Sequence, residues 1–318
     1  MDTFNSLIHT VKGAMPIVQS GIPAIVGGFV TAMFLRGNTQ RAEFEKIKAG
    51  KIQEAVDDLV KSHELTLTEL VKCKNLLQIA ELAEREYKTK SREHKTKMNE
   101  EFDFDWFLRF FEAAGNINNR DMQILWARIL AGEVYSRGTF SLRTIETLRN
   151  MTQYEAKMFH AVVPLILTDG NDIMFIYRGD YDHSEGCLNE INELYGFGPR
   201  EFAVMEECGL LRPQSYINYI NSIEGIPCIY NGNICLVFKL IMETNHISEK
   251  YISFNNYQIT RTAMQLITIT DTLQDDQYIL NLGLLFRRKY PDFIIKAHRI
   301  VNIEEGKIIL DFNTDLLE

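Results

Sequence analysis

The rhythm of apolar and polar positions changes several times along the chain. Residues 13–35, GAMPIVQSGIPAIVGGFVTAMFL, carry no charged side chain between Lys12 and Arg36. As a helix at ~1.5 Å per residue they reach about 34 Å, enough to cross a ~30 Å hydrocarbon core. Ser20, Ala24, Gly28 and Ala32 recur at every fourth position, the small-residue stripe along which membrane helices approach one another closely. Lys12 alone precedes the segment, whereas Arg36, Arg41, Lys46, Lys48 and Lys51 follow it, so the positive-inside rule puts the C-terminal body in the cytoplasm. Two other readings stay open. Pro16, Pro23 and the glycines also fit a buried, interfacial or re-entrant pair of short helices broken at Pro23. A cleaved signal peptide ranks last, because Lys12 makes a thin basic flank and no small-residue cleavage site precedes Arg36.

Residues 39–101 read as a long helical stalk or linker. Ile52, Val56, Leu59, Leu70, Cys73, Leu77 and Ala80 keep an approximate 4,3 spacing interrupted at His63 and Thr66, which fits either an oligomerising coiled coil or a helix packed on its own domain. KTKSREHKTK, residues 88–97, is a basic run of the kind a solvated helix face carries. Residues 102–168 form a compact helical module. Trp106, Phe107, Phe110 and Phe111 make one apolar face, and Met122, Leu125, Trp126, Ile129 and Leu130 make another. Ser141 reads as an N-cap, and Thr152 with Glu155 has capping-box spacing.

The period shortens after Asp169. IMFIY, residues 173–177, reads as a strand; Pro199 opens a helix that Gly209 closes. In IPCIYNGNICLVFKLI, residues 226–241, Asn231 and Gly232 between β-rich runs predict a type I′ hairpin. Helix, Gly-Leu-Leu and hairpin together look like the recognition helix and wing of a winged helix. A last helix near residues 275–290 and a hairpin near Glu305 and Gly306 complete residues 169–318 as a winged-helix-like α+β region. The predicted fold is therefore mainly α, with an N-terminal transmembrane helix in residues 1–38 and a C-terminal α+β part.

Charge and cysteines narrow the function classes. The net charge is −9, and residues 199–242 set Arg200, Arg212 and Lys239 against Glu201, Glu206, Glu207 and Glu224, so nucleic acid is not an expected partner. Five cysteines without a CxxC pair fit reduced thiols in a cytosolic setting. No P-loop, dinucleotide fingerprint, nucleophile elbow, zincin or EF-hand motif is present, so no catalytic residue, metal or cofactor is assigned. DYDHSEGC offers Asp180, Asp182, His183, Glu185 and Cys187 as potential ligands, but a turn after a strand is where acidic residues ordinarily collect. His160 on a helical face reads as a core or edge histidine. FRRKYP, residues 286–291, could hold an anion through Arg287, Arg288 and Lys289, yet cations at a helix C-terminus need no ligand.

LWARILAGE (residues 125–133) followed by SLRTIETLRNMTQYEAKMF (residues 141–159) resembles the bacterial family of domain of unknown function 2806. It is more distantly similar to the helical cores of abortive-infection proteins. The pattern consists of core and capping positions, so it implies a shared fold and a bacterial, phage-linked setting without transferring any catalytic residue. The resulting expectation is an oligomeric inner-membrane protein with a cytoplasmic sensing body. In that expectation Ser20, Ala24, Gly28 and Ala32 pack the membrane helices of a homo-oligomer, a protein trigger binds the body, and the membrane is the target of an anti-phage response. The alternative is a soluble cytoplasmic interaction or scaffold protein whose winged-helix-like region binds a partner.

Overall fold

The structure, a computed structural model, describes residues 67–93, 103–169, 174–178, 194–214, 222–223, 226–241, 254–271, 275–304 and 307–318, with residues 191 and 252 standing alone. The chain divides into two compact units, Met1–Arg149 and Asn150–Glu318.

The described part of the first unit is helical: α1 (Leu67–Glu93), α2 (Phe104–Ala114), α3 (Arg120–Tyr135) and α4 (Leu142–Asn150). Polar caps set the boundaries. Asp103 accepts a hydrogen bond from the Trp106 N–H at 2.9 Å, and Asn119 accepts one from Met122 at 3.1 Å, so each helix starts where a side chain replaces a missing backbone acceptor. Ser141 accepts from the Thr144 N–H at the head of α4, as its sequence predicts. α1 lays Leu76, Ile79, Ala80, Ala83 and Tyr87 into the core and packs on α3 and α2, so this part of the expected stalk is a wall of its own unit. Trp106 stacks on Phe110 with ring centroids 5.2 Å apart, and Phe110 meets Trp126 at 5.3 Å. The aromatic faces predicted for residues 102–168 are the interior of this unit.

The second unit is built on a nine-stranded antiparallel sheet. Its strands are β1 (Leu167–Asp169), β2 (Met174–Tyr177), β3 (Leu211–Gln214), β4 (Ser222–Ile223), β5 (Ile226–Asn231), β6 (Ile234–Leu240), β7 (Asn256–Ile259), β8 (Phe293–Glu304) and β9 (Lys307–Asp311). They lie in the order β3-β7-β2-β1-β5-β6-β8-β9, with β4 paired to β5 off this path. The helices are α5 (Gln153–Val162), α6 (Pro199–Glu207), α7 (Arg261–Ile267) and α8 (Asp276–Lys289). Thr152 and Glu155 cap α5 reciprocally, at 2.6 and 3.3 Å. Pro199 opens α6, and Gly209 follows it with φ of 68°, a left-handed conformation that glycine adopts without a Cβ penalty. α8 buries Tyr278, Ile279, Leu282 and Phe286, and Gly283 lets the sheet come close: a Cβ there would stand 2.8 Å from Leu236 Cδ2 and 2.9 Å from Leu317 Cδ1.

Two expectations are corrected. The mainly α fold with a winged-helix-like C-terminal region gives way to a large antiparallel sheet: the β5–β6 hairpin is flanked by β1 and β8, so it lies inside the sheet and cannot serve as an exposed wing. The N-terminal transmembrane helix, and with it the inner-membrane location, is withdrawn, because no helix among the described residues is long and apolar enough to cross a membrane. The longest helix among the described residues, α1, reads LTELVKCKNLLQIAELAEREYKTKSRE and carries charges along its whole length. Residues 13–35, with Ser20, Ala24, Gly28 and Ala32, lie outside the described residues.

Candidate functional site

The sequence stretches that looked like signatures resolve first into structure. In LWARILAGE, Trp126 and Leu130 are core side chains, and Arg128 reaches Glu86 of α1 at 3.5 Å. Glu133 is buried at the end of the motif. Its carboxylate accepts the Gly138 N–H at 2.6 Å and the Phe140 N–H at 3.0 Å, ordering the loop between α3 and α4. The carbonyl of Phe140 accepts the Trp106 indole N–H at 2.7 Å, and its ring lies against Gly132. The motif is thus a clasp that closes the helical unit. SLRTIETLRNMTQYEAKMF contributes the Ser141 cap, buried Ile145 and Leu148, and the Thr152–Glu155 box.

Burial pushes the Glu133 carboxyl up, against the downward pull of the N–H groups of Phe140, Gly138 and Thr139; the negative charge of Asp103 adds to the rise. A carboxyl raised in the folded state stabilises fully below its unfolded value, near 4.5, and that contribution is lost as pH rises through the raised folded value. The advantage of the native chain over Glu133→Gln in urea unfolding of the helical unit is therefore expected to be largest near pH 4 and to shrink toward neutrality. A difference independent of pH would remove Glu133 as its source.

Between α1 and α3 lies a cleft of about 620 Å³ in which Lys74, Glu81 and Arg120 meet the amides of Asn75, Gln78 and Gln123. The interior groups bind one another. Asn75 donates to the Gly115 carbonyl at 2.9 Å and to Asn118 at 3.0 Å, while Gln123 donates to Ile117 at 3.0 Å and Gln78 at 3.1 Å. This is a satisfied polar seam holding two helices in register.

Reactive groups in the sheet unit have structural tasks. His298 Nδ1 bonds the Thr314 carbonyl at 3.0 Å and its ring meets Phe312 edge-on at 5.0 Å. The Cys208 thiol is pushed up to about 11 by burial and then by the Glu155 carboxylate, which suppresses its nucleophilicity at neutral pH. Cys228 and Cys235 are buried on neighbouring strands, and the hydrogen bond between them, together with burial, raises the Cys235 thiol. His160 is exposed in the last turn of α5, an edge histidine. Among the described residues no three His, Cys, Asp or Glu side chains cluster to hold a metal. Asp180, Asp182, His183, Glu185 and Cys187 lie outside the described residues.

FRRKYP gives the least expected result. Arg287 has an anion after all, and it belongs to the same unit. Its Nη2 bonds Asp315 at 2.6 Å, Nη1 the Leu317 carbonyl at 3.1 Å, and Nε the Ile295 carbonyl at 2.7 Å. Asp315 in turn accepts the N–H groups of Ala297 at 3.0 Å and Leu317 at 3.1 Å. The segment after β9 is thereby latched along β8 and against α8. Lys289 sits 5.2 Å from the Tyr290 ring centroid, a cation–π contact.

The margin beside that latch carries several exposed apolar side chains. β9 ends the sheet. Ile309 on it is 42% exposed, Val301 in the β8 bulge beside it 67%, and Phe312 just past β9 63%. Lys296 and Arg299 are also exposed on β8. The sequence carries one trace of this margin, the uninterrupted Ile308, Ile309 and Leu310, which exceeds the alternation of a strand solvated on one face.

The family described as "Protein of unknown function (DUF2806)" matches residues 61–283. The chain belongs to that family. Residues 125–133 and 141–159, which carry the resemblance, fall inside the matched range. No curated protein and no solved structure matches the chain.

Proposed function

We propose that this DUF2806 protein is a protein-interaction module of a bacterial anti-phage system, which binds a partner or trigger protein through the β8–β9 margin. The observation that carries the reading is the exposure of Val301, Ile309 and Phe312 along the β8–β9 margin of the sheet. The exposed cations Lys296 and Arg299 fit an acidic rim on the partner. The distant similarity of residues 125–133 and 141–159 to abortive-infection cores supplies the setting.

A plaque assay on cells expressing the full-length chain tests both halves. Expression is expected to reduce plaque formation by at least one phage of a panel. Val301→Glu combined with Phe312→Ser is expected to abolish that protection while leaving the unfolding midpoint close to native, since surface changes shift stability by only about 0.5 kcal/mol. Protection that survives the double substitution removes the margin as the binding surface. No protection against any phage removes the defence setting.

A further inference from the structure

The interaction reading leaves the partner at β9 open, and this strand points to a specific one. We propose that β9 pairs antiparallel with β9 of a second copy of the chain, on a two-fold axis through Ile309, joining two nine-stranded sheets into one. The inference rests on the reading of the β8–β9 margin as a binding surface and names one occupant of it.

The two ends of the sheet differ. β3 carries Pro213, which has no N–H to offer a neighbouring strand, whereas β9 is the terminal strand at the other end and contains no proline. Backbone direction on β9 follows from β8. Ala297 bonds Asp315 and Leu316 on the side where β9 runs, and Ile300 sends its N–H the other way, to the Asn233 carbonyl at 2.7 Å. Odd-numbered residues of β8 up to the bulge therefore face β9, and Arg299 stands opposite Asp311. The extra residue of the bulge belongs to β8, between Ile300 and Asn302, so alternation along β9 is unbroken. Asp311 and Ile309 turn their backbone groups toward β8; Ile308 and Leu310 turn theirs outward.

An outward row at Ile308 and Leu310 restricts the two-fold axis to Ile308, Ile309 or Leu310, because any axis between residues sets outward groups against inward ones. Charge selects among the three. An axis at Ile308 sets no residue of β9 against Asp311, and an axis at Leu310 sets Lys307 against Asn313. Only the axis at Ile309 aligns Lys307 with Asp311 at both ends, pairs Ile308 with Leu310, and brings the exposed Ile309 side chains together. Asp311 Oδ1 is engaged by Asn313, which leaves its second oxygen for the lysine. The strand KIILD is self-complementary in backbone, charge and apolar content at once.

A ladder this short supports a dissociation constant on the order of micromolar. Sedimentation equilibrium of the full-length chain over a dilution series is expected to show a monomer–dimer equilibrium in that range. Lys307→Glu and Asp311→Lys each turn two attractive cross-strand pairs repulsive and are expected to weaken the dimer about tenfold. The combined Lys307→Glu, Asp311→Lys chain returns to within about threefold of native, and the two single variants, mixed, form a heterodimer. Ile308→Pro removes an outward donor without touching the β8 ladder and is expected to abolish pairing with the unfolding midpoint retained. A chain monomeric throughout, a dimer indifferent to the charge reversals, or single variants that fail to combine would each overturn the proposal. The plaque assay separates it from the parent reading. A monomeric chain whose protection still requires Val301 loses the dimer alone, whereas a charge-sensitive dimer whose protection ignores Val301 loses the interaction reading alone.

Discussion

Asp315→Ala is expected to destabilise the sheet unit by about 3 kcal/mol, as judged by chemical unfolding of the full-length chain at pH 7. The Asp315 side chain is only 5% exposed and holds three partners at once: the guanidinium of Arg287 and the N–H groups of Ala297 and Leu317. Removing it leaves a guanidinium with one fewer anion and two amides without acceptors. The cost stays at the low end for a broken buried pair, because Arg287 is 33% exposed and water can rehydrate it. Arg287→Met is expected to cost at least as much, since it strips a carboxylate of its counter-charge and frees the carbonyls of Ile295 and Leu317 as well. The pH dependence has a defined sign. Burial works to raise the Asp315 carboxyl, but the amides of Ala297 and Leu317 and the Arg287 charge outweigh it and hold the group below its ordinary value of 3.8. Its stabilisation is therefore complete above 3.8 and is lost as pH falls below that value through the depressed folded one. The alanine variant should lack this acid-side slope; equal slopes in both chains would place the effect elsewhere.

Gly132→Val is the second large effect, expected to cost about 2–3 kcal/mol in the helical unit. A Cβ at position 132 would stand 2.7 Å from Phe140 Cε2 and 3.3 Å from Cζ. The ring has little room to retreat, because the N–H of Phe140 is held by Glu133 and its carbonyl by the Trp106 indole. Replacing glycine inside a helix would otherwise stabilise by up to ~1 kcal/mol, so any net loss measures the clash. Phe140→Leu introduced beside Gly132→Val should recover part of the loss in a double-mutant cycle. Additive costs would show that ring and helix are not in conflict.

Local signals were legible in the sequence, and distant pairings were not. The Ser141 cap, the Thr152–Glu155 box, Pro199 and Gly209 at the ends of α6, the helix near residues 275–290 and the hairpin near Glu305 all appear where they were read, since each depends on neighbours a few residues away. The β5–β6 hairpin forms one residue out of place. Gly232 and Asn233 make its turn, because Asn231 stays in the strand and donates its amide to the carbonyls of Pro164 and Ile166, both at 2.8 Å. The winged-helix reading failed for a related reason: helix, Gly-Leu-Leu and hairpin look alike whether the hairpin is a free wing or the middle of a sheet, and the strands that decide it come from far along the chain. Arg287 reads from the sequence as a helix-end cation that needs no ligand, whereas the structure gives it a carboxylate 28 residues away that leaves no local trace. The clasp was quoted as a resemblance before its mechanics could be seen, since Glu133 reads as one more polar helix position until the loop folds back on it.

The buried Asn231 bonds also bear on how the molecule folds. The hairpin that carries Asn231 closes through a two-residue turn, an event of about 1–10 μs, whereas its amide must find carbonyls 65 and 67 residues earlier in the chain. Closing a loop of that length carries an entropic cost of about 4 kcal/mol before any contact is returned. The hairpin is thus the element able to form first, and the docking of β1 and β8 on its two sides is the slow, collective step. Until both arrive, the strands that end up at the centre of the sheet have bare edges, so the most protected part of the native unit is the part most open to wrong pairing on the way there.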